Sequence, residues 1–155
     1  LVSICILYFF TSYVDHDDHH NAYRRQSKWC VRESAEDEFD EISIASRIFV
    51  AELKIGNVTQ WVIDPIEHNM DYAGLSDLAV DSAQDSLNII RSVLANNPSA
   101  AKDIVCLNAG AALYVAGLAD SYVNGVAMAR KIIADGLAQQ KLNEFIAKTQ
   151  SFKAV

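Results

Sequence analysis

The chain is predicted to be α/β, with a β-hairpin in its first half and four packed helices in its second. Three observations carry this. Two runs rich in β-branched and aromatic residues, 47–53 (RIFVAEL) and 58–63 (VTQWVI), flank a Gly56-Asn57 pair, which is the signature of a tight hairpin. From Asp81 onward apolar residues recur every three or four positions, the period of a helix with one buried face. The stretch 101–117, AKDIVCLNAGAALYVAG, is apolar nearly all round, as a helix inside a domain is.

Length and charge bound the rest. The 155 residues suffice for one domain with a core. Hydrophobic residues are 51% and charged residues 21%, an ordinary globular balance. The net charge of −7 comes without a basic cluster, which argues against nucleic acid as the main partner. Cys5, Cys30 and Cys106 form no metal-ligand spacing and cannot all pair, so a reduced, cytoplasmic setting is expected. The chain starts at Leu1 and is expected to be a fragment or a processed piece.

Taken in order, residues 1–14 (LVSICILYFFTSYV) are too short to span a bilayer, which takes about 20 apolar residues. They lack the basic start of a signal peptide, and a strand is expected. Residues 15–20, DHDDHH, hold imidazoles and carboxylates that could bind zinc, nickel or copper. Metal sites usually space their ligands over a turn or two elements, so a solvated polar loop is the default. Residues 21–28, with Arg24, Arg25 and Lys28, are read as a polar connector.

Residues 33–41, ESAEDEFDE, are dense in carboxylates. Such a run is usually a solvated loop. The sharper reading is a magnesium site. Mg²⁺ binds through one or two carboxylates, keeps several waters and takes substrate phosphates. Adjacent Asp40 and Glu41, at the mouth of a strand beginning at Ile42, suit that role.

Past the hairpin, Asp64-Pro65 stops the second strand, and 66–78 is a loop or short helical turn. Ser82 with Asp85 reads as a capping box, followed by Leu87, Ile90 and Leu94 as a buried face. Asn96-Asn97-Pro98 ends that helix and Ser99 caps the next. There Ile104, Leu107, Asn108, Ala111 and Val115 form one stripe, with Val105, Ala109, Ala112 and Ala116 opposite. Gly110 costs about 1 kcal/mol against alanine inside a helix, so close packing by a neighbour is the expected reason for it.

Gly117 closes this helix and Ser121 opens the following one, along which lie Val123, Val126, Ala127, Arg130 and Ile133. Gly136 stops it. Ala138, Leu142, Phe145 and Ile146 mark the apolar stripe of the last helix, and the end from 150 to 155 is expected to fray. His68 is a lone loop histidine with no assigned role.

The motifs DEFDEIS (37–43), RIFVAELKIGNVTQWVIDP (47–65), SLNIIRSVLAN (86–96), DIVCLNAGAALYVAGLADS (103–121) and GVAMARKIIADGLAQQKLNEFI (125–146) resemble the C-terminal part of anthranilate phosphoribosyltransferase. The likeness covers about 37–150, and LNAGAALYVAG is its most specific run. It implies the C-terminal half of a phosphoribosyltransferase α/β domain, with 1–36 an unmatched N-terminal segment and 151–155 a tail.

It also implies a chemistry, the transfer of phosphoribosyl from phosphoribosyl pyrophosphate (PRPP) to anthranilate in tryptophan biosynthesis. The family's Asp-Glu pair that helps bind Mg²⁺ with PRPP falls on Asp40 and Glu41, with Glu38 where the family has glycine. The glycine-rich PRPP loops, a basic segment and the small helical domain through which members commonly dimerise have no counterpart in these residues. The expectation is therefore a truncated or mis-joined copy, inactive alone, with no residue assigned to anthranilate and no membrane or nucleic-acid partner. The alternatives are a non-catalytic remnant acting as a helical interaction module, or a metal-binding protein using 15–20.

Overall fold

The computed structural model describes residues 28–33, 41–54 and 56–152, and for 28–33, Leu75 and Asp77 the backbone only. The strand expected over 1–14, the 15–20 cluster, Glu38 and Asp40 lie outside the described residues.

Three antiparallel strands come first: β1 (Lys28–Glu33), β2 (Ile48–Lys54) and β3 (Asn57–Ile63). Their order is β1-β2-β3, with β2 in the centre. The hairpin stands as expected, with one refinement. Lys54 pairs with Asn57, and Gly56 between them, at φ 77°, supplies the left-handed conformation that glycine adopts at no steric cost. Asn57 is already in β3.

β1 is an addition to the expected hairpin, since composition places Lys28 at the end of a connector and Glu33 at the start of an acidic loop. It pairs with β2 from Lys28↔Lys54 to Glu33↔Phe49. An edge strand tolerates such charged residues because the ladder is made by backbone groups alone.

β2 alternates as a strand with one covered face does. Ile48, Val50 and Glu52 are buried, while Phe49 is exposed. β3 ends where Asp64 caps a 3₁₀ turn (Pro65–His68) through a hydrogen bond from the Ile66 amide. A second 3₁₀ turn follows at Leu75–Leu78.

Four helices complete the described chain: α1 (Ala83–Leu94), α2 (Ala100–Val115), α3 (Tyr122–Ala134) and α4 (Leu137–Ser151). Three begin at the expected serines. The hydroxyls of Ser82, Ser99 and Ser121 accept from the amides of Asp85, Lys102 and Asn124 at 3.1, 3.2 and 3.2 Å, each satisfying one free N–H of a first turn. Gly117 and Gly136 take positive φ after α2 and α3, as helix-ending glycines do.

The faces differ from the periodic reading in phase. α2 buries Cys106, Leu107, Gly110 and Tyr114, while Val105 is 42% exposed and Ala112 and Ala116 face outward. It is therefore covered on one side only. In α1 Val93 is buried and Ile90 exposed, so its inner face is rotated from the expected Leu87, Ile90 and Leu94. α4 buries no residue and stays helical through Ser151.

α2 and α3 cross closely because both are cut away at the crossing. A Cβ on Gly110 would stand 2.6 Å from Val126 Cγ2 and 2.7 Å from the Val126 nitrogen. A Cβ on Gly125 would collide with the Gly110 carbonyl oxygen. Close contact of this kind offsets the helix-propensity cost of Gly110. Around it one core gathers Ile44, Ile48, Val50, Ile63, Met70, Val93, Leu107, Tyr114, Tyr122, Val126 and Ile133. The sheet is tied to α2 by the buried Tyr114 hydroxyl, which donates to Glu52 Oε1 at 2.6 Å.

Candidate functional site

Glu41 is the one residue of the expected acidic pair that is described, and it is half-buried. The strand expected to begin at Ile42 begins only at Ile48, and the irregular chain between is held at successive points by side-chain and loop hydrogen bonds. The Asn108 carboxamide, on α2, takes both backbone groups of Ile42: Nδ2 donates to the Ile42 carbonyl at 2.7 Å, and Oδ1 accepts from the Ile42 amide at 3.1 Å. The second Nδ2 hydrogen goes to the Ile104 carbonyl at 2.9 Å, one turn back on the same helix.

Ser43 is fully buried and its hydroxyl accepts from the Ala45 amide at 3.0 Å. The Ala73 amide donates to the Ile44 carbonyl at 3.2 Å. Glu41 thus directly precedes the residue that is pinned to α2.

Among the described residues no group of three or more His, Cys, Asp or Glu is placed to hold a metal ion. The donor chemistry at Glu41 still fits Mg²⁺, a hard cation that needs only one or two carboxylates when phosphate and water complete its shell.

Asn108 is the residue that sequence reasoning left without a role. Periodicity puts it on the buried stripe of the 101–117 helix, and a polar amide on such a stripe is the available signal, because buried amides need partners. Its partner, 66 residues away, is not legible in the sequence.

Two further polar groupings flank this segment. Arg47 Nε donates to Asp64 Oδ2 at 3.1 Å and the Tyr72 hydroxyl to Asp64 Oδ1 at 3.0 Å. Desolvation raises the Asp64 carboxyl, but the Ile66 amide, the Tyr72 hydroxyl and the Arg47 charge together hold it below the usual aspartate range. This network staples the start of β2 to the end of β3.

His68, read from the sequence as a lone loop histidine with no role, is only 8% exposed. Its ring meets the Tyr122 ring edge-on at 5.2 Å, and Arg130 donates to its backbone carbonyl. Desolvation, and then the Arg130 charge, push the imidazole below its ordinary value. Burial likewise pushes the Asp103 carboxyl and the Cys106 thiol up. Cys106 is fully buried and free, which keeps it a packed thiol rather than a nucleophile. No helix of the described residues is long and apolar enough to cross a membrane.

With this geometry in view, the comparisons are direct. The model of the "Glycosyl transferase family, a/b domain" matches residues 22–139, a range that takes in β1. The anthranilate phosphoribosyltransferase of Hydrogenovibrio crunogenus is 58% identical over 126 residues, covering 81% of this chain and 37% of the relative. Among solved structures, the anthranilate phosphoribosyltransferase of Thermus thermophilus superposes with a TM-score of 0.68 at 27% identity, over 81% of this chain and 37% of that one. A Saccharomyces cerevisiae variant of the enzyme with Mg bound gives 0.68 at 18% identity, over 84% and 38%, which speaks to fold.

The likeness read from the motifs is borne out by these relatives, and so is a hairpin followed by four helices as part of an α/β domain. The chain spans a little over a third of the relatives' length. With its family model matched across most of the sequence, the chain belongs to the glycosyl transferase family, through that family's a/b domain.

Proposed function

We propose that this chain is the C-terminal portion of an anthranilate phosphoribosyltransferase, serving transfer of phosphoribosyl from PRPP to anthranilate, with release of pyrophosphate, in tryptophan biosynthesis. The observation that carries the reading is the 58% identity over 126 residues to an enzyme of that name. In this reading Asp40 and Glu41 hold Mg²⁺ with PRPP, in the cytoplasm.

Bound Mg²⁺ would supply positive charge against the pyrophosphate as it departs. The chain's own contribution is positional. The segment after Glu41 is pinned to α2 through Ile42, so a carboxylate held there is pre-placed, and pre-placement is where catalysis of this kind gains most. α2 in turn is immobilised by its Gly110 crossing with α3.

The glycine-rich PRPP loops are not among the 155 residues. Removal of a single oxyanion-type donor costs about 2.7–4 kcal/mol, and a whole phosphate cradle is worth more. These residues on their own are therefore expected to form no phosphoribosylanthranilate above a buffer blank.

The activity itself is tested by graft. Residues 22–139 replace their counterpart in the Hydrogenovibrio crunogenus enzyme, and anthranilate consumption is followed by fluorescence. Turnover is expected, together with a loss of at least about 100-fold when Asp40→Asn and Glu41→Gln are combined, as for removal of a charge-stabilising group. A graft that folds, shown by circular dichroism and a cooperative melt, and yet turns nothing over sinks the reading.

A second reading, a non-catalytic interaction module, is favoured by one observation. Phe49, Val58 and Val62 on the sheet and Phe145 and Ile146 on α4 are all exposed, and apolar surface of this kind invites partners. Size-exclusion chromatography of the isolated chain over a range of concentrations separates it from a monomeric piece.

A further inference from the structure

We propose that Asn108 is the positioning residue for the carboxylate of Glu41. By gripping Ile42 through both of its backbone groups, it fixes the point from which Glu41 reaches its cation. The inference rests on the magnesium reading above and deepens it.

The geometry copies a strand pair. In an antiparallel ladder, two residues of a hydrogen-bonded pair exchange both N–H and C=O. Here the side-chain amide of Asn108 stands in for the second residue, donating to the Ile42 carbonyl at 2.7 Å and accepting from the Ile42 amide at 3.1 Å. A carboxamide carries a donor and an acceptor on one planar group without depending on its protonation state.

The orientation of that group is determined as well. Nδ2 lies between two carbonyls, those of Ile42 and Ile104, and a flipped amide would face both with an oxygen. The bond to Ile104, four residues back, locks the side chain on its own helix. That helix is anchored on either side of Asn108 by Leu107, which is fully buried, and by Gly110 against Val126. Position is thus passed from the α2–α3 crossing to Asn108, to Ile42, and to the residue next to it.

A ligand carboxylate must be held within about 0.5 Å of its working position, and loss of a group that orients a metal ligand typically weakens the metal about 10–100-fold. Leucine at 108 keeps the branching of asparagine but makes none of the three hydrogen bonds.

The test uses the purified chain with Mn²⁺ as a paramagnetic stand-in for Mg²⁺ and inorganic pyrophosphate to complete the cation's shell, read as line-broadening of backbone amide resonances. The amides of Glu41, Ile42 and Ser43 are expected to broaden, and Glu41→Gln to abolish this. Asn108→Leu is expected to weaken the titration about 10–100-fold while hydrogen-exchange protection at Ala129 and Ile133 is kept. Asn108→Gln, which keeps the amide but sets it one methylene out, should fall between and covers the case in which the leucine variant does not fold. Wild-type affinity in both variants overturns the proposal.

Hydrogen exchange at the Ile42 amide separates the two ideas. If Mn²⁺ leaves Glu41 untouched in the wild type, the magnesium reading and the positioning role fall together, whereas exchange at Ile42 that is accelerated in Asn108→Leu would leave the backbone clamp standing. Unchanged exchange there removes the clamp itself.

Discussion

Helices α3 and α4 follow one another across Gly136, and both show apolar residues at helical spacing. α3 buries Tyr122, Gly125, Val126, Ala129 and Ile133, whereas α4 buries none, with Phe145 64% and Ile146 42% exposed. The difference lies in side-chain size as well as in pattern. Gly125 lets α3 approach α2 until backbone meets backbone at Gly110, and Tyr122 fills space beside it with its hydroxyl on the Leu107 carbonyl at 3.3 Å. α4 offers Leu142 and Phe145, which can cover a surface but cannot bring two backbones together. Apolar periodicity therefore states that a helix has a face to cover, and residue volume decides how close the cover can come.

The comparison is broken most severely at Gly125. Gly125→Ala places a methyl against the Gly110 carbonyl, and the helices must separate. The expected loss is about 3 kcal/mol, the upper part of the range for overpacking, despite the roughly 1 kcal/mol that alanine gains in helix propensity. Urea unfolding checks it, and a variant as stable as wild type would mean that the crossing is loose.

A smaller effect is expected from protons at the same crossing. His68 packs on Tyr122 with its pKa lowered, by desolvation first and then by Arg130, against the opposing charges of Glu67 and Asp64. Below the ordinary value of 6.5 the unfolded chain takes up a proton that the folded chain refuses. Stability is then expected to fall as pH drops from 6.5 towards the folded pKa, and to level off below it. Melting temperatures of wild type and His68→Gln, compared from about pH 7.5 to about pH 5, isolate this effect. Parallel curves would remove it.

The smallest effect sharpens the other side of the comparison. Phe145→Lys on α4 is expected to change stability by no more than about 0.5 kcal/mol, as surface substitutions do, and to reduce any self-association of the isolated chain. A loss above about 1.5 kcal/mol, the scale of a buried side chain, would show that Phe145 is packed.

Local chemistry settled much on its own. Ser82, Ser99 and Ser121 start helices because their hydroxyls can accept a first-turn amide, and Gly56, Gly117 and Gly136 turn the chain because glycine takes positive φ freely. These are short-range effects, so they could be read residue by residue. The acidic run 33–41 and the Asp40-Glu41 pair were equally visible as carboxylate chemistry, and the run LNAGAALYVAG pointed to the family.

The tertiary structure alone decided the rest. Pairing of β1 rests on backbone groups that carry no side-chain signature. The inward turn of Val93 rather than Ile90, and the exposure of the last helix, depend on which neighbour arrives and from where. Asn108 acquires a role only when folding brings Ile42, 66 residues distant, within hydrogen-bonding reach. Contacts of that kind are absent from any local stretch of sequence, because they are made by surfaces that meet only once the core has closed.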